Sequence, residues 1–235
     1  GVVGSISTVE IRDNEGADEG GGIGISNSSD MNISNITIDG NAAGNGGGIH
    51  LDSTSKAELT DCWIGNNEAT ESGGGIYANG NLVVDGTTIQ ENSAGSDGGG
   101  IYATGASPYV LSSAFWGNTA GGNGGGFALE SSTGGSVTPL VIQTEFWLNG
   151  AENNGGAIWL DGTSAFWLRE VLVVLNTAGN DGGGIWFSGG QRTLTFVRAW
   201  HNEAGNDGGG AYITNSCGGT TRKSSFGGNS AGNSG

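Results

Sequence analysis

The chain has 235 residues, of which 51 are glycine and only 2 proline. Its 23 Asp and Glu against 7 Lys and Arg leave a formal net charge of −16, which argues against nucleic-acid binding, because phosphate recognition needs clustered cations. The glycines follow no G-X-Y period, which excludes collagen; no apolar run approaches the ~18 residues of a membrane span; and Cys62 and Cys217 fall too far apart in the repeat to make a disulfide scaffold.

One unit of about 27 residues recurs along the chain. Each unit opens with a predicted strand marked by an apolar residue: Ile6, Ile33, Leu59, Val84, Val110, Val141, Leu168 and Leu194, with Thr221 in the last unit. Five residues on comes the apolar residue of a second strand: Ile11, Ile38, Ile64, Ile89, Phe115, Phe146, Val173, Ala199 and Phe226. Three residues further stands an asparagine: Asn14, Asn41, Asn67, Asn92, Asn118, Asn149, Asn176, Asn202 and Asn229. Alanine follows two positions later in eight of the nine units. A glycine run then leads into a third strand, as in Gly73-Gly74-Gly75-Ile76 and Gly155-Gly156-Ala157-Ile158. A second apolar residue lies two positions after the one that closes the run: Ile25, Leu51, Ala78, Ala103, Leu129, Leu160, Phe187 and Ile213. Spacing within each segment is two, the strand period, and no helical period fits.

Units this short cannot bury an apolar face alone and must stack. The expected fold is all-β: a right-handed, single-stranded parallel β-helix, a solenoid of about nine coils with three strands per coil, forming one domain over residues 1–235. Like residues stack at about 4.8 Å. The asparagines form an inward amide ladder, and the glycines supply positive φ and close backbone approach at the corner. The steps between asparagines are 27, 26, 25, 26, 31, 27, 26 and 27 residues, so the long step marks an insertion near residues 131–136. The chain begins mid-pattern and stops where another glycine run is due, and it reads as a processed chain or part of a longer one.

The glycine runs and Phe115-Trp116-Gly117-Asn118, Phe146-Trp147-Leu148-Asn149 and Phe226-Gly227-Gly228-Asn229 resemble the GGA and FxxN repeats of the polymorphic membrane proteins, bacterial autotransporter surface proteins. The resemblance covers essentially the whole chain. It implies an extracellular or cell-surface passenger-type rod, often adhesive.

Function is expected on outward columns. One is the residue after each glycine-run apolar position, with Tyr77, Tyr102, Trp159, Trp186 and Tyr212. Such rings suit an extended glycan, or packing on another protein, or simply stabilise each other from coil to coil. A second set is an apolar patch in the middle of the rod: Tyr109, Leu111, Trp116, Leu140, Ile142, Trp147 and Trp167. It is either a partner surface or is covered by a loop. A third is acidic: Asp181 and Asp207 fall in neighbouring coils and are candidate calcium ligands, or solvated turn carboxylates. The regular repeat favours a non-catalytic structural or adhesive protein, with self-assembly into a filament, another surface protein, or host or environmental glycans as partners. A carbohydrate-binding or lyase- or glycosidase-like β-helix is the alternative. Arg169 and Arg198 lie outward in adjacent coils, but only Glu170 clearly joins them as a carboxylate.

Overall fold

The computed structural model describes residues 3–105, 107–130, 139–162, 165–215 and 217–233. Its regular structure among these residues is entirely β, in short strands that form four parallel sheets. Each strand pairs with its equivalents one coil before and one coil after, so the chain winds as a parallel β-helix of about eight turns. One coil shows the plan. Its first sheet takes Lys56–Thr60, its second Trp63–Gly65, its third Glu68–Ala69 and its fourth Ile76–Ala78. The insertion expected near 131–136 lies outside the described residues.

The apolar columns are in strict register. Leu59 pairs with Ile33 and Val84, Ile64 with Ile38 and Ile89, and Ile76 with Ile49 and Ile101. These residues fill one continuous core, and Phe115 stacks on Phe146 inside it at 4.5 Å. Each fully buried side chain of this size contributes roughly 1.5–3 kcal/mol.

Four sheets stand where three were expected. The extra one is two residues wide and is built on the alanine after each asparagine: Ala69, for example, pairs with Ala43 and Ala94. Two residues are too few for a period of two to show, and alanine is no strand former. The neighbouring coil imposes the pairing.

The asparagines stack inward at the corner between the second and third sheets. The backbone N–H and Nδ2 of Asn92 both donate to Oδ1 of Asn118, at 3.1 and 2.9 Å, and Nδ2 also reaches back to the carbonyl of Ile64. The pattern runs from Asn14 to Asn229, so an interior asparagine ties three coils together. A second polar stack stands at the glycine corner and donates in the opposite sense, toward lower-numbered coils. Ser72 N donates to Asn45 Oδ1, Asn123 N to Asp97 Oδ1, Asn154 N to Asn123 Oδ1 and Asp181 N to Asn154 Oδ1. A third, shorter stack of hydroxyls, on Thr87, Ser113 and Thr144, closes the corner between the first and second sheets.

The glycines of a run do different jobs. The first is left-handed, as at Gly98 with φ +67°, where an L side chain is strained. The second lies against the next coil: a Cβ on Gly99 would sit 2.2 Å from the Thr119 carbonyl oxygen and 2.6 Å from that of Gly125. The third is alanine in one coil, at Ala157, although a Cβ on Gly100 would sit 2.4 Å from the Gly126 carbonyl oxygen.

Asp52 organises the turn between the fourth sheet of one coil and the first of the next. It accepts from the backbone N–H of Asn27 at 2.8 Å and of Thr54 at 3.0 Å. The Asn27 N–H first, then the Ser55 and Thr54 side chains, hold its carboxyl at about 2, below the ordinary 3.8. Its contribution is therefore complete above about pH 4 and vanishes as pH falls through about 2. Acid titration of stability by urea denaturation should show a smaller loss across that window for Asp52→Asn than for the parent; an equal loss would remove Asp52 as its source.

Candidate functional site

The aromatic column lies outside the core, but it is not a free surface. Tyr102 and Trp159 are each only 8% exposed, and with the fully buried Ala128 between them they form a small cluster flanked by Tyr77 and Trp186. The rings lie on one another. Trp159 and Trp186 are 5.6 Å apart at 16°, and His50 stacks on Tyr77 at 5.0 Å. The ring faces that would take a sugar are turned along the rod toward the next ring. The glycine corner crowds the base of the column: a Cβ on Gly182 would lie 3.0 Å from that of Trp186, and one on Gly208 2.8 Å from that of Tyr212. The Tyr102 hydroxyl donates to Glu130, and burial first, then Glu130, raises its pKa. Burial lowers the pKa of His50, against the charges of Glu19 and Asp52; Nδ1 of His50 lies 3.5 Å from Glu19 Oε2.

The central apolar patch divides between two faces. Tyr109, Leu140 and Trp167 are register partners on the outer face of the first sheet, as are Leu111, Ile142 and Arg169. Trp116 and Trp147 are partners on the second sheet, with rings stacked at 6.0 Å. The corner residues Ser112, Gln143, Glu170 and Phe196, all with positive φ, separate the two.

On the first-sheet side, Leu140, Ile142, Trp167, Arg169, Thr193, Thr195 and Phe196 line a shallow depression of 390 Å³. Trp167 is 52% exposed within it, the most exposed tryptophan of the described residues. Strand alternation aims it outward while Phe166 and Leu168 enter the core. Of its lining residues Arg169 is tied to the adjoining corner: Arg169 Nε donates to Glu170 Oε1 at 3.1 Å, and Gln143 Nε2 donates to Glu170 Oε2 at 3.1 Å. Both oxygens of Glu170 are thus engaged. The arrangement offers a flat apolar ring beside hydroxyls and a guanidinium, which is binding chemistry.

Several exposed apolar residues were not singled out by the sequence reading. Leu148 and Leu175, 48% and 45% exposed, and the exposed Phe196 all sit at corners with φ of 56–57°. At the Leu148 and Leu175 corner other coils carry Asp13, Gly40, Asn66, Glu91, Gly117, His201 and Gly228. Glycine, asparagine and aspartate suit that conformation; leucine does not. The signal was available as a residue out of type immediately before the ladder asparagine. Trp200, exposed on the second sheet, was also missed.

Asp181 and Asp207 are brought together, but as members of the corner stack: Asp207 N donates to Asp181 Oδ1 at 3.2 Å. Asp207 Oδ1 is buried and, among the described residues, without a partner; the next position, Ser234, lies outside them. Among the described residues no three His, Cys, Asp or Glu side chains converge to hold a metal ion. Cys62 and Cys217 are both free thiols. Among the described residues no helix is long and apolar enough to cross a membrane.

No curated protein and no solved structure matches the chain. A family model described as right handed beta helix region matches residues 2–234. That family holds both pectate-lyase-like enzymes and non-enzymes. With nearly its whole length matched and its four sheets wound in parallel, the chain belongs to the right-handed β-helix family.

Proposed function

We propose that this chain is a non-catalytic extracellular or cell-surface rod that acts in adhesion or as a structural surface component, and that it meets its ligand at the depression around Trp167. The observation that carries this reading is a half-exposed tryptophan, with Tyr109, Leu140 and Ile142 beside it, on a strand face that is polar in other coils (Ser5, Asn32, Glu58). Contiguous exposed apolar surface on an otherwise polar protein marks interaction sites. The GGA and FxxN motifs, similar to those of the polymorphic membrane proteins, support the adhesive reading, and the net charge of −16 suits a rod kept apart by self-repulsion. The engagement of both Glu170 oxygens favours binding over acid–base chemistry.

The test is retention of labelled protein on immobilised cell-surface and extracellular-matrix preparations. Trp167→Ala should reduce retention about tenfold or more, the loss typical of a central aromatic anchor, with the fold intact by circular dichroism. Equal retention would overturn the assignment of the site. A second reading, carbohydrate binding, is favoured by the placing of Thr193, Thr195 and Arg169 around the indole. Glycan-array binding lost in Trp167→Ala but kept in Trp186→Ala would support it. Release of new reducing ends or unsaturated sugars from a polysaccharide would instead make the chain an enzyme.

A further inference from the structure

The outer face of the second sheet in the central coils differs from the Trp167 depression in one respect: its pattern is palindromic. Two outward columns run along it in register. One reads Glu145, Leu172, Arg198 and the other Trp147, Val174, Trp200, coil by coil. Glu145 and Arg198 are opposite charges one coil either side of Leu172, and Trp147 and Trp200 are like residues one coil either side of Val174. One step further out, Trp116 lies two coils before Val174 and Gly227 two coils after it, a large side chain against none. Leu175, at the corner beside Val174, lies on the centre of this pattern.

A palindrome of this kind is what a two-fold axis reads. We propose that a second copy of this chain packs on this face with the rods antiparallel, about an axis along strand Leu172–Val174. Such an axis reverses the order of coils and keeps the position along the strand. Leu172 then meets Leu172 of the second copy, Trp147 meets its Trp200, Trp116 lies over its Gly227, and Glu145 meets its Arg198, twice over. An interface on a two-fold is self-complementary in this manner.

Three further observations favour a second copy over another occupant. Glu145 and Arg198 do not pair with each other, and two coil steps of about 4.8 Å and Leu172 lie between them. Among the described residues Arg198 makes no ion pair and the Glu145 side chain accepts only from Trp147 Nε1. Finally, two chains each carrying −16 repel one another except where charge is scarce, and over these three coils the two columns carry one charge of each sign. The exposed Leu148 and Leu175, strained in the left-handed region, gain cover in this arrangement. The proposal does not depend on what the Trp167 depression binds, which lies across the corner on the first sheet.

Sedimentation velocity and light scattering on the full chain test it. The parent should dimerise with rising concentration. Glu145→Arg and Arg198→Glu should each weaken dimerisation about tenfold or more, since each places like charges opposite one another twice. The double variant Glu145→Arg/Arg198→Glu should restore it, and so should an equimolar mixture of the two single variants, which can pair only with each other. A parent that stays monomeric at every concentration, single variants that dimerise like the parent, or a double variant and mixture that both fail to recover would overturn the proposal. Loss of retention in Trp167→Ala with dimerisation unchanged separates this surface from the adhesive one.

Discussion

Replacing Asn118 with alanine should destabilise the rod by roughly 4 kcal/mol or more, because it strips partners from several buried groups at once. Asn118 is fully buried. Its Oδ1 takes both the backbone N–H and Nδ2 of Asn92, and its Nδ2 gives to the Ile89 carbonyl and to Asn149 Oδ1. After truncation the Asn92 N–H and Nδ2, the Ile89 carbonyl and Asn149 Oδ1 each lose a hydrogen bond inside the rod, and an unmade buried hydrogen bond costs more than a made one contributes. The same change at Asn14, which is exposed in the first described coil and whose Oδ1 takes no donor among the described residues, should cost about 1 kcal/mol. Urea midpoints of the two variants measure the contrast. Equal shifts would mean that the ladder is a by-product of the fold and does not hold it.

The second large effect is expected at Gly99. Gly99→Ala places a methyl group 2.2 Å from the Thr119 carbonyl oxygen and 2.6 Å from that of Gly125, both backbone atoms of the next coil that cannot swing away. Coils must separate locally, breaking hydrogen bonds on each side, and a loss of roughly 3 kcal/mol or more is expected. Gly100→Ala is the control. Its methyl meets one carbonyl oxygen, that of Gly126 at 2.4 Å, and the edge of Phe115, and the equivalent position holds Ala157 in another coil. Thermal unfolding should place Gly99→Ala below Gly100→Ala, which itself falls below the parent because one backbone contact of 2.4 Å remains. If both fall together, close approach is not why the middle glycine is present in every run.

Much of the fold was legible because each inner column repeats one kind of residue. Ile38, Ile64 and Ile89, or Asn41, Asn67 and Asn92, announce themselves once the units are aligned. What escaped the sequence was everything whose meaning comes from the adjacent coil. The alanine strands are two residues wide, so no periodicity betrays them. The second polar stack mixes asparagine, serine and aspartate, at Asn45, Ser72, Asp97 and Asn154, which share an acceptor oxygen but no single residue type. Alternation placed the aromatic column off the core, where its separate cluster lies, yet alternation says nothing about a glycine corner folded against its base. The apolar patch was visible as composition. Its division by the corner at Gln143, Glu170 and Phe196 was not, and neither were Leu148 and Leu175, whose oddity lies in a backbone angle.

The two polar stacks, at the asparagine corner and the glycine corner, have a consequence for the rod as an electrical object. In the inner stack every carboxamide oxygen faces the lower-numbered coil, so the group dipoles add head to tail along the axis, as peptide dipoles do in a helix. In the corner stack the side-chain oxygens face the higher-numbered coil. The two polarisations oppose each other over the same coils. Lengthening the rod by whole coils therefore adds to both stacks at once, and any axial dipole left over favours an antiparallel neighbour, because side-by-side dipoles attract when they point in opposite directions.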